Sequence, residues 1–380
     1  MVGTLLPSLL GDTLGLAHKG DGRTRPNPLV GAVVLDSQGR QFQGYHPRYG
    51  SVHAEAVALD LAGPAARGST LYCSLEPCCH SGQGKHQPPC TGKIIAAGVQ
   101  KVVVGQLDPN PQVRGKGLDQ LRRAGIEVEL ASDPRPFLRL NPGFNTRHLL
   151  DRPYVHLKAA LSLDGKISPV PGQGGWISGP DARTEVHDLR SRYDGVGVGV
   201  GTVLSDNPQL SVRTDGYKGE QPRAVLFDRH LRTPLDSFLV QQRPGETFIV
   251  GGEGANNTPR GRELASRGVE VLPSDGSLAG QLAALAGVSI QTLLVEGGAE
   301  ILTQFFVSEL WDEITLYFAP KILGSGVPLL ASGSGNRQPR VLEFEDEEWR
   351  ILGNQGIFHA YRPGWVDQLA RRLPDVHGID

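Results

Sequence analysis

The chain reads as an α/β protein of two domains, and three observations lead there. Its 380 residues suit two domains of ordinary size. Short β-rich apolar runs alternate with helix-forming runs along most of the length, the pattern of α/β folds. The 50 glycines and 28 prolines fall between apolar runs, as turn signals do, and not in one low-complexity block. A hydrophobic content of 39% beside 21% charged residues supplies ample core.

In the first 150 residues, LVGAVVLD (29–36), STLYCSLE (69–76) and KVVVGQLD (101–108) have strand character. HAEAVALDLAG (53–63) and TGKIIAAG (91–98) suit helices, and KGLDQLRRAGIEVEL predicts a helix closed by Gly125 and then a strand. A second series follows: 154–165, 195–203, 223–228, 247–252, 291–301 and, as its end, 312–324. The boundary falls near Leu150–Pro153. This gives domains at 1–150 and 151–365, with 366–380 expected as an exposed C-terminal extension. The run GVGVGVG (195–201) lacks the G-x-G-x-x-G spacing of a dinucleotide fingerprint. Its strict alternation suits a buried strand whose bare face lets a neighbour pack closely.

A formal net charge of −2 excludes the strong basic surplus of an electrostatic nucleic-acid binder. The first twenty residues lack a basic start and are broken by Pro7, Ser8 and Asp12, unlike a signal peptide. No run of eighteen apolar residues predicts a membrane span. A cytoplasmic location is the expectation. In a reducing compartment clustered cysteines serve metals or catalysis more often than disulfides.

Three of the four cysteines lie in one stretch, LEPCCHSGQGKHQPPC (75–90). Upstream sits His53-Ala54-Glu55. H-x-E followed by P-C and a further cysteine is the pattern of zinc-dependent base deaminases. Here His53, Cys78 and Cys90 are the ligands, and a fourth position is left for water, as catalytic zinc requires. Glu55 is not a ligand but carries protons between water, ring and departing amine. H-x-E alone occurs by chance, and two cysteines could form a structural half-site or be buried thiols. Their joint placement, on a helix start, a strand end and a second helix start, favours a catalytic metal. Cys79 and His80 are then spare as ligands, and Cys73 belongs to the core.

With these residues in view, the chain resembles the bifunctional pyrimidine deaminase/reductase family of riboflavin biosynthesis over nearly its whole length. The resemblance rests on PNPLVGAVV, HAEAVAL, LEPCCHSG with PPC, DPNPQVRGKG, LKAALSLDGKIS, GGWISGPDAR, DNPQLSVR and LLVEGG. It implies a cytidine-deaminase-like three-layer N-terminal domain and a dihydrofolate-reductase-like α/β C-terminal domain. The first would deaminate 2,5-diamino-6-(5-phosphoribosylamino)pyrimidin-4(3H)-one with one zinc per chain. The second would reduce the ribosyl side chain to ribityl with NADPH. By motif position, Asn27, His80 and Lys85 resemble substrate contacts of the deaminase. Lys158, Arg190, Leu210, Arg213 and Glu296 resemble substrate contacts of the reductase. Asp164, Trp176, Thr202, Asp206, Gly297 and Gly298 resemble cofactor contacts. Paired arginines suit a ribose phosphate, and a Gly-Gly turn opening a helix suits a cofactor phosphate. Singly, Arg213 would be a surface charge, Asp206 a cap and Trp176 core.

Two departures from the family pattern stand out. The loop between Cys78 and Cys90 is longer, so the register of Lys85 could slide across Gln83–Gln87. Gly174 stands where the family often has serine. The alternatives are a deaminase of free nucleosides or tRNA, which would carry P-C-x-x-C, and a binding protein with a relict site. The expected partner is a small-molecule phosphoribosylaminopyrimidine, with no nucleic acid and no membrane. An isologous homodimer is the default assembly.

Overall fold

In the computed structural model, residues 8–80, 88–170, 177–331 and 341–374 are described. The chain divides into two units, Met1–Leu150 with Val366–Asp380, and Asp151–Trp365.

The first unit is built from α1 (Ser8–Ala17), β1 (Gly31–Leu35), β2 (Gln41–Tyr45), α2 (Ala54–Ala62), β3 (Thr70–Cys73), α3 (Cys90–Ala97), β4 (Lys101–Val104), α4 (Lys116–Arg123), β5 (Glu127–Leu130), α5 (Arg135–Leu140) and α6 (Pro142–Leu150). Its sheet runs β2-β1-β3-β4-β5; β1 is antiparallel to both neighbours, and β3, β4 and β5 are parallel. Strand alternation divides the core. Val34, Leu71, Cys73, Val102 and Val104 pack on Ala58 of α2, Ile94 of α3 and Leu121 of α4. Val103 points the other way, to Leu10 of α1 and Phe137 of α5. The unit therefore has three layers. Strand β2 carries no apolar run, since it is a half-exposed edge, which is why local pattern does not reveal it.

The second unit continues with β6 (Tyr154–Ser162), β7 (Lys166–Ser168), α7 (Pro180–Arg190), β8 (Gly195–Gly199), α8 (Val200–Asp206), β9 (Arg223–Phe227), α9 (Phe238–Gln242), β10 (Thr247–Val250), α10 (Pro259–Ser266), β11 (Glu270–Leu272), α11 (Leu278–Gly287), β12 (Thr292–Glu296), α12 (Ala299–Ser308), β13 (Glu313–Ala319), β14 (Val327–Pro328), β15 (Glu345–Leu352) and β16 (Gln355–Tyr361). Nine strands form one sheet, β11-β10-β9-β8-β12-β6-β13-β16-β15, parallel up to β13 and antiparallel beyond. Helices cover both faces. Leu157, Val225 and Leu293 meet Leu282 of α11 and Phe305 of α12, while Val196, Leu226 and Leu294 meet Leu239 of α9 and Leu264 of α10.

The GVGVG run is a buried strand, β8. Cβ atoms at Gly195 and Gly197 would sit 3.2 Å from Leu293 and 3.1 Å from Phe227, so neighbouring side chains occupy the bare face. Two expectations change. The second series does not end at 324, because β15 and β16 extend the sheet. The C-terminal extension is also not simply exposed. Trp365–Ala370 form a helix, α13, in which Trp365, Val366 and Leu369 are buried. Their spacing (i, i+1, i+4) gives the helix one apolar side. Among the described residues, no helix is long and apolar enough to cross a membrane.

Candidate active sites

In the first unit, three local structures bring the predicted donors together. His53 is the N-cap of α2, Cys78 follows the end of β3, and Cys90 is the first residue of α3. Their ligand atoms all lie within 4.8 Å of one another. His53 Nδ1 is 3.3 Å from Cys90 Sγ and 3.6 Å from Cys78 Sγ. A tetrahedral zinc with ordinary bond lengths would hold its nitrogen and sulfur donors about 3.5 Å apart. The cluster therefore fits zinc, and Cys79 is not part of it. The Cys90 N–H points at Cys78 Sγ, 3.4 Å away, so the start of α3 favours a thiolate there. The Cys78 thiol is held well below its usual range, first by a hydrogen bond with Cys90 and then by His53. Cys90 is pushed up by the same hydrogen bond.

Glu55 lies in the first turn of α2, two residues from His53, and is 4% exposed. Burial pushes its carboxyl pKa up, against the pull of His53. A carboxyl pKa raised in this way moves toward neutral pH, the direction that suits proton transfer. Asn27 reaches the same cluster through His46. The His46 Nδ1 lies 3.2 Å from the Val52 carbonyl, so it must donate. Nε2 is then free to accept from the Asn27 amide at 3.4 Å. The His46 ring meets His53 edge-on at 5.4 Å, and burial lowers its pKa and favours this neutral form. Sequence reasoning missed His46, which carries no motif spacing. His80 is half-buried beside Cys79. Lys85 lies outside the described residues.

The second unit holds a cleft of about 1350 Å³ at the carboxyl ends of its central strands. It exceeds the ~300–1,000 Å³ of a typical single-ligand pocket, enough for two ligands side by side. Lys158, Arg190, Leu210, Arg213, Glu296, Thr202, Asp206, Gly297 and Gly298 all line it. Lys158 on β6 and Glu296 on β12 are register partners, with Nζ 3.5 Å from the carboxylate. Arg190, the last residue of α7, clamps the same carboxylate with two bonds of 2.6 and 3.1 Å. Burial alone would raise the pKa of Glu296, but Arg190 and Lys158 reverse that and hold it at about 2. The Lys158 pKa is lowered, chiefly by burial. Leu210 takes a left-handed conformation (φ 50°), and the carbonyl of the next residue, Ser211, accepts from Arg190 at 2.9 Å.

At Gly297 a Cβ would lie 2.0 Å from the Ile301 side chain, so any larger residue in the turn into α12 would push Ile301 aside. Helix α12 starts after Gly298, and Gly298, Ala299 and Glu300 line the cleft, which presents a helix N-terminus to a cofactor phosphate. Thr202 faces Gly298 across the cleft wall. Beyond them, after β9, Arg229, His230 and Arg232 add a basic wall that sequence reasoning overlooked. Its signal was a cluster of cations just past a strand end. The donor set fits a phosphorylated dinucleotide. Asp164 does not line the cleft. It accepts from Ser162, Leu323 and Gly324, which ties the β6–β7 turn to the loop after β13. Trp176 lies outside the described residues.

Glu296 also supports its unit, and two tests follow. Replacing it with glutamine leaves two buried cations facing each other, and the expected cost is about 3–5 kcal/mol, read from chemical denaturation. The Glu296 pKa is lowered on folding, so its contribution is complete above the usual 4.5 and is lost as pH falls toward about 2. A stability profile of this unit from pH 6 to pH 2 should show that loss in the wild type and lack it in Glu296→Gln.

Comparison with known proteins decides the family. Residues 12–106 match the cytidine and deoxycytidylate deaminase zinc-binding region, and residues 153–358 match the RibD C-terminal domain. The chain belongs to the RibD family. A RibD from Aquifex aeolicus is 40% identical over 83% of this chain and 87% of its own length. The Escherichia coli RibD is 34% identical over 91% and 96%. Among solved structures, an Acinetobacter baumannii RibD matches with a TM-score of 0.80 at 34% identity, over 93% of this chain and 98% of that one. A Thermotoga maritima deaminase/reductase matches with a TM-score of 0.75 at 32% identity, over the same shares. Like other RibD chains, this one is a bifunctional enzyme of riboflavin biosynthesis, with a zinc-dependent deaminase domain and a reductase domain that uses NADPH.

Proposed function

We propose that His53, Cys78 and Cys90 hold the deaminase zinc, that Glu55 is its proton carrier, and that Asn27, oriented by His46, contacts the pyrimidine. The observation that carries this reading is the buried meeting of three metal donors with one carboxyl whose pKa burial has raised. Zinc bound there supplies Lewis-acid activation of water for attack on the amine-bearing ring carbon. Glu55 takes one proton from the attacking water and gives it to the ring nitrogen, then takes the second from the new hydroxyl as that becomes the ring carbonyl and gives it to the amine, which leaves as ammonia. The substrate is the diaminopyrimidine bearing a phosphoribosylamino group, in keeping with the activities in the Thermotoga protein's name.

In the second unit, the Glu296 carboxylate, kept ionised, accepts from the hydroxyls of the ribosyl chain. Lys158 is a proton donor for the sugar ring oxygen that becomes a hydroxyl on reduction. Arg213, exposed on the cleft rim, takes the 5′-phosphate. Gly298, Ala299 and Glu300 at the start of α12 would hold the pyrophosphate of NADPH, which would supply the hydride. Incubating the purified protein with the diamino substrate, with and without NADPH, tests both halves by mass analysis. Deamination alone without NADPH, and the ribityl product with it, is the expected result.

The basic wall gives a separate binding test. Arg229 and Arg232 favour the additional 2′-phosphate of NADPH over NADH. Calorimetry should show tighter binding of NADPH by the wild type. The preference should collapse in Arg229→Ala/Arg232→Ala, with NADH binding unchanged. Equal loss for both nucleotides would place the arginines elsewhere on the cofactor.

A further inference from the structure

Helix α4 contributes no metal donor, yet both cysteines of the cluster are tied to it. Glu76 sits two residues before Cys78 and is 3% exposed. Its carboxylate accepts N–H bonds from Asp108 (3.1 Å), Gly115 (2.9 Å) and Gly117 (3.0 Å). Gly115, the N-cap of α4, is left-handed at φ 75°. A Cβ on Gly117 would lie 2.4 Å from the Pro77 carbonyl oxygen. The R-G-K-G run therefore forms a nest of amide donors at a helix start. This nest is filled by the chain's own carboxylate, which locks the Glu76-Pro77-Cys78 strand end onto α4.

The other cysteine is tied to the same helix. Thr91 follows Cys90 and is fully buried. Its N–H donates to the Cys78 carbonyl at 3.2 Å, and its hydroxyl donates to Gln120 of α4 at 2.7 Å. Cys78 is thus referred to the start of α4 through Glu76, and Cys90 to its middle through Thr91. We infer that α4 is a brace that sets the separation of the two cysteine sulfurs, with Glu76, Thr91 and Gln120 as positioning residues for the metal cluster. The inference rests on Cys78 and Cys90 being the ligands. Metal affinity depends on ligands held at the right spacing, and loss of an outer partner costs about 10–100-fold.

The test measures zinc affinity of folded apoprotein by chelator competition, and the visible absorption of the cobalt-loaded protein. Glu76→Gln keeps the volume but turns an acceptor toward an amide donor. Thr91→Val keeps the shape but loses the hydroxyl. Gln120→Ala alters an exposed side chain and is tolerated by the fold. Each should weaken zinc binding, Glu76→Gln and Thr91→Val by about 10–100-fold, and each should change the cobalt spectrum. An ordinary structural hydrogen bond would lower the apoprotein's melting temperature and leave affinity and spectrum unmoved, which would overturn the brace. Cys78→Ser separates the two levels. If it retains zinc, the ligand assignment fails. If it loses zinc while all three brace variants bind as the wild type does, the brace alone fails.

Discussion

Replacing Glu55 by glutamine lowers the deamination rate by about 10²–10⁴-fold and leaves the metal in place. The size is that of general acid–base assistance. Glutamine keeps the shape of the side chain, which is buried in the first turn of α2, but cannot pass a proton from water to ring nitrogen and amine. Zinc content should not fall, because Glu55 is not among the proposed donors, the clustered His53, Cys78 and Cys90. Reduction should persist when the deaminated intermediate is supplied, because Lys158, Arg190 and Glu296 belong to a cleft lined wholly by residues of the other unit. The variant should therefore form no ribityl product from the diamino substrate and form it normally from the deaminated one. Loss of both reactions, with fold and zinc intact, would sink the separate-sites reading.

The second large effect separates two adjacent cysteines. Cys78→Ser should lose zinc and deamination together, because a serine oxygen is a poor replacement for a thiolate held low by Cys90 and His53. Cys79→Ser should retain both, since Cys79 stands outside the donor cluster and its pKa is raised, first by burial. Metal analysis of the two purified variants, with deaminase assays beside it, settles which neighbour binds. Equal metal loss in both would point to the wrong sulfur.

Much of the site was legible because its signals are local. The H-x-E of α2, the proline before Cys78 and the two prolines before Cys90 each act within a few residues, by capping a helix or ending a strand. Glu76 lies in the same stretch but gives no such signal. Its role is set by Gly115 and Gly117, 39 and 41 positions away. The edge strand β2 gives no sequence signal, and the final helix reads as an exposed tail, for related reasons. A half-exposed strand lacks an apolar run. A six-residue helix with one apolar side resembles a tail until the surface that buries it is known.

The sequence by itself singled out the α/β alternation, the candidate metal donors His53, Cys78 and Cys90 that the fold brings together, Glu55 beside them, and the glycine turn into α12. The signals were backbone preference and motif spacing, although the meeting of His53, Cys78 and Cys90 across 12 to 37 positions is itself tertiary. Tertiary structure alone decided what joins residues far apart. Strand order put β6 beside β12, and so Lys158 against Glu296, with Arg190 arriving from α7 at a separation of 106 positions. It placed Asp164 in a turn clamp outside the cleft, and it raised the basic wall after β9. The physical reason is range. Periodicity reports which face of an element is buried, whereas the pairing of charges across a sheet depends on which strands become neighbours, and that is settled by packing the whole chain.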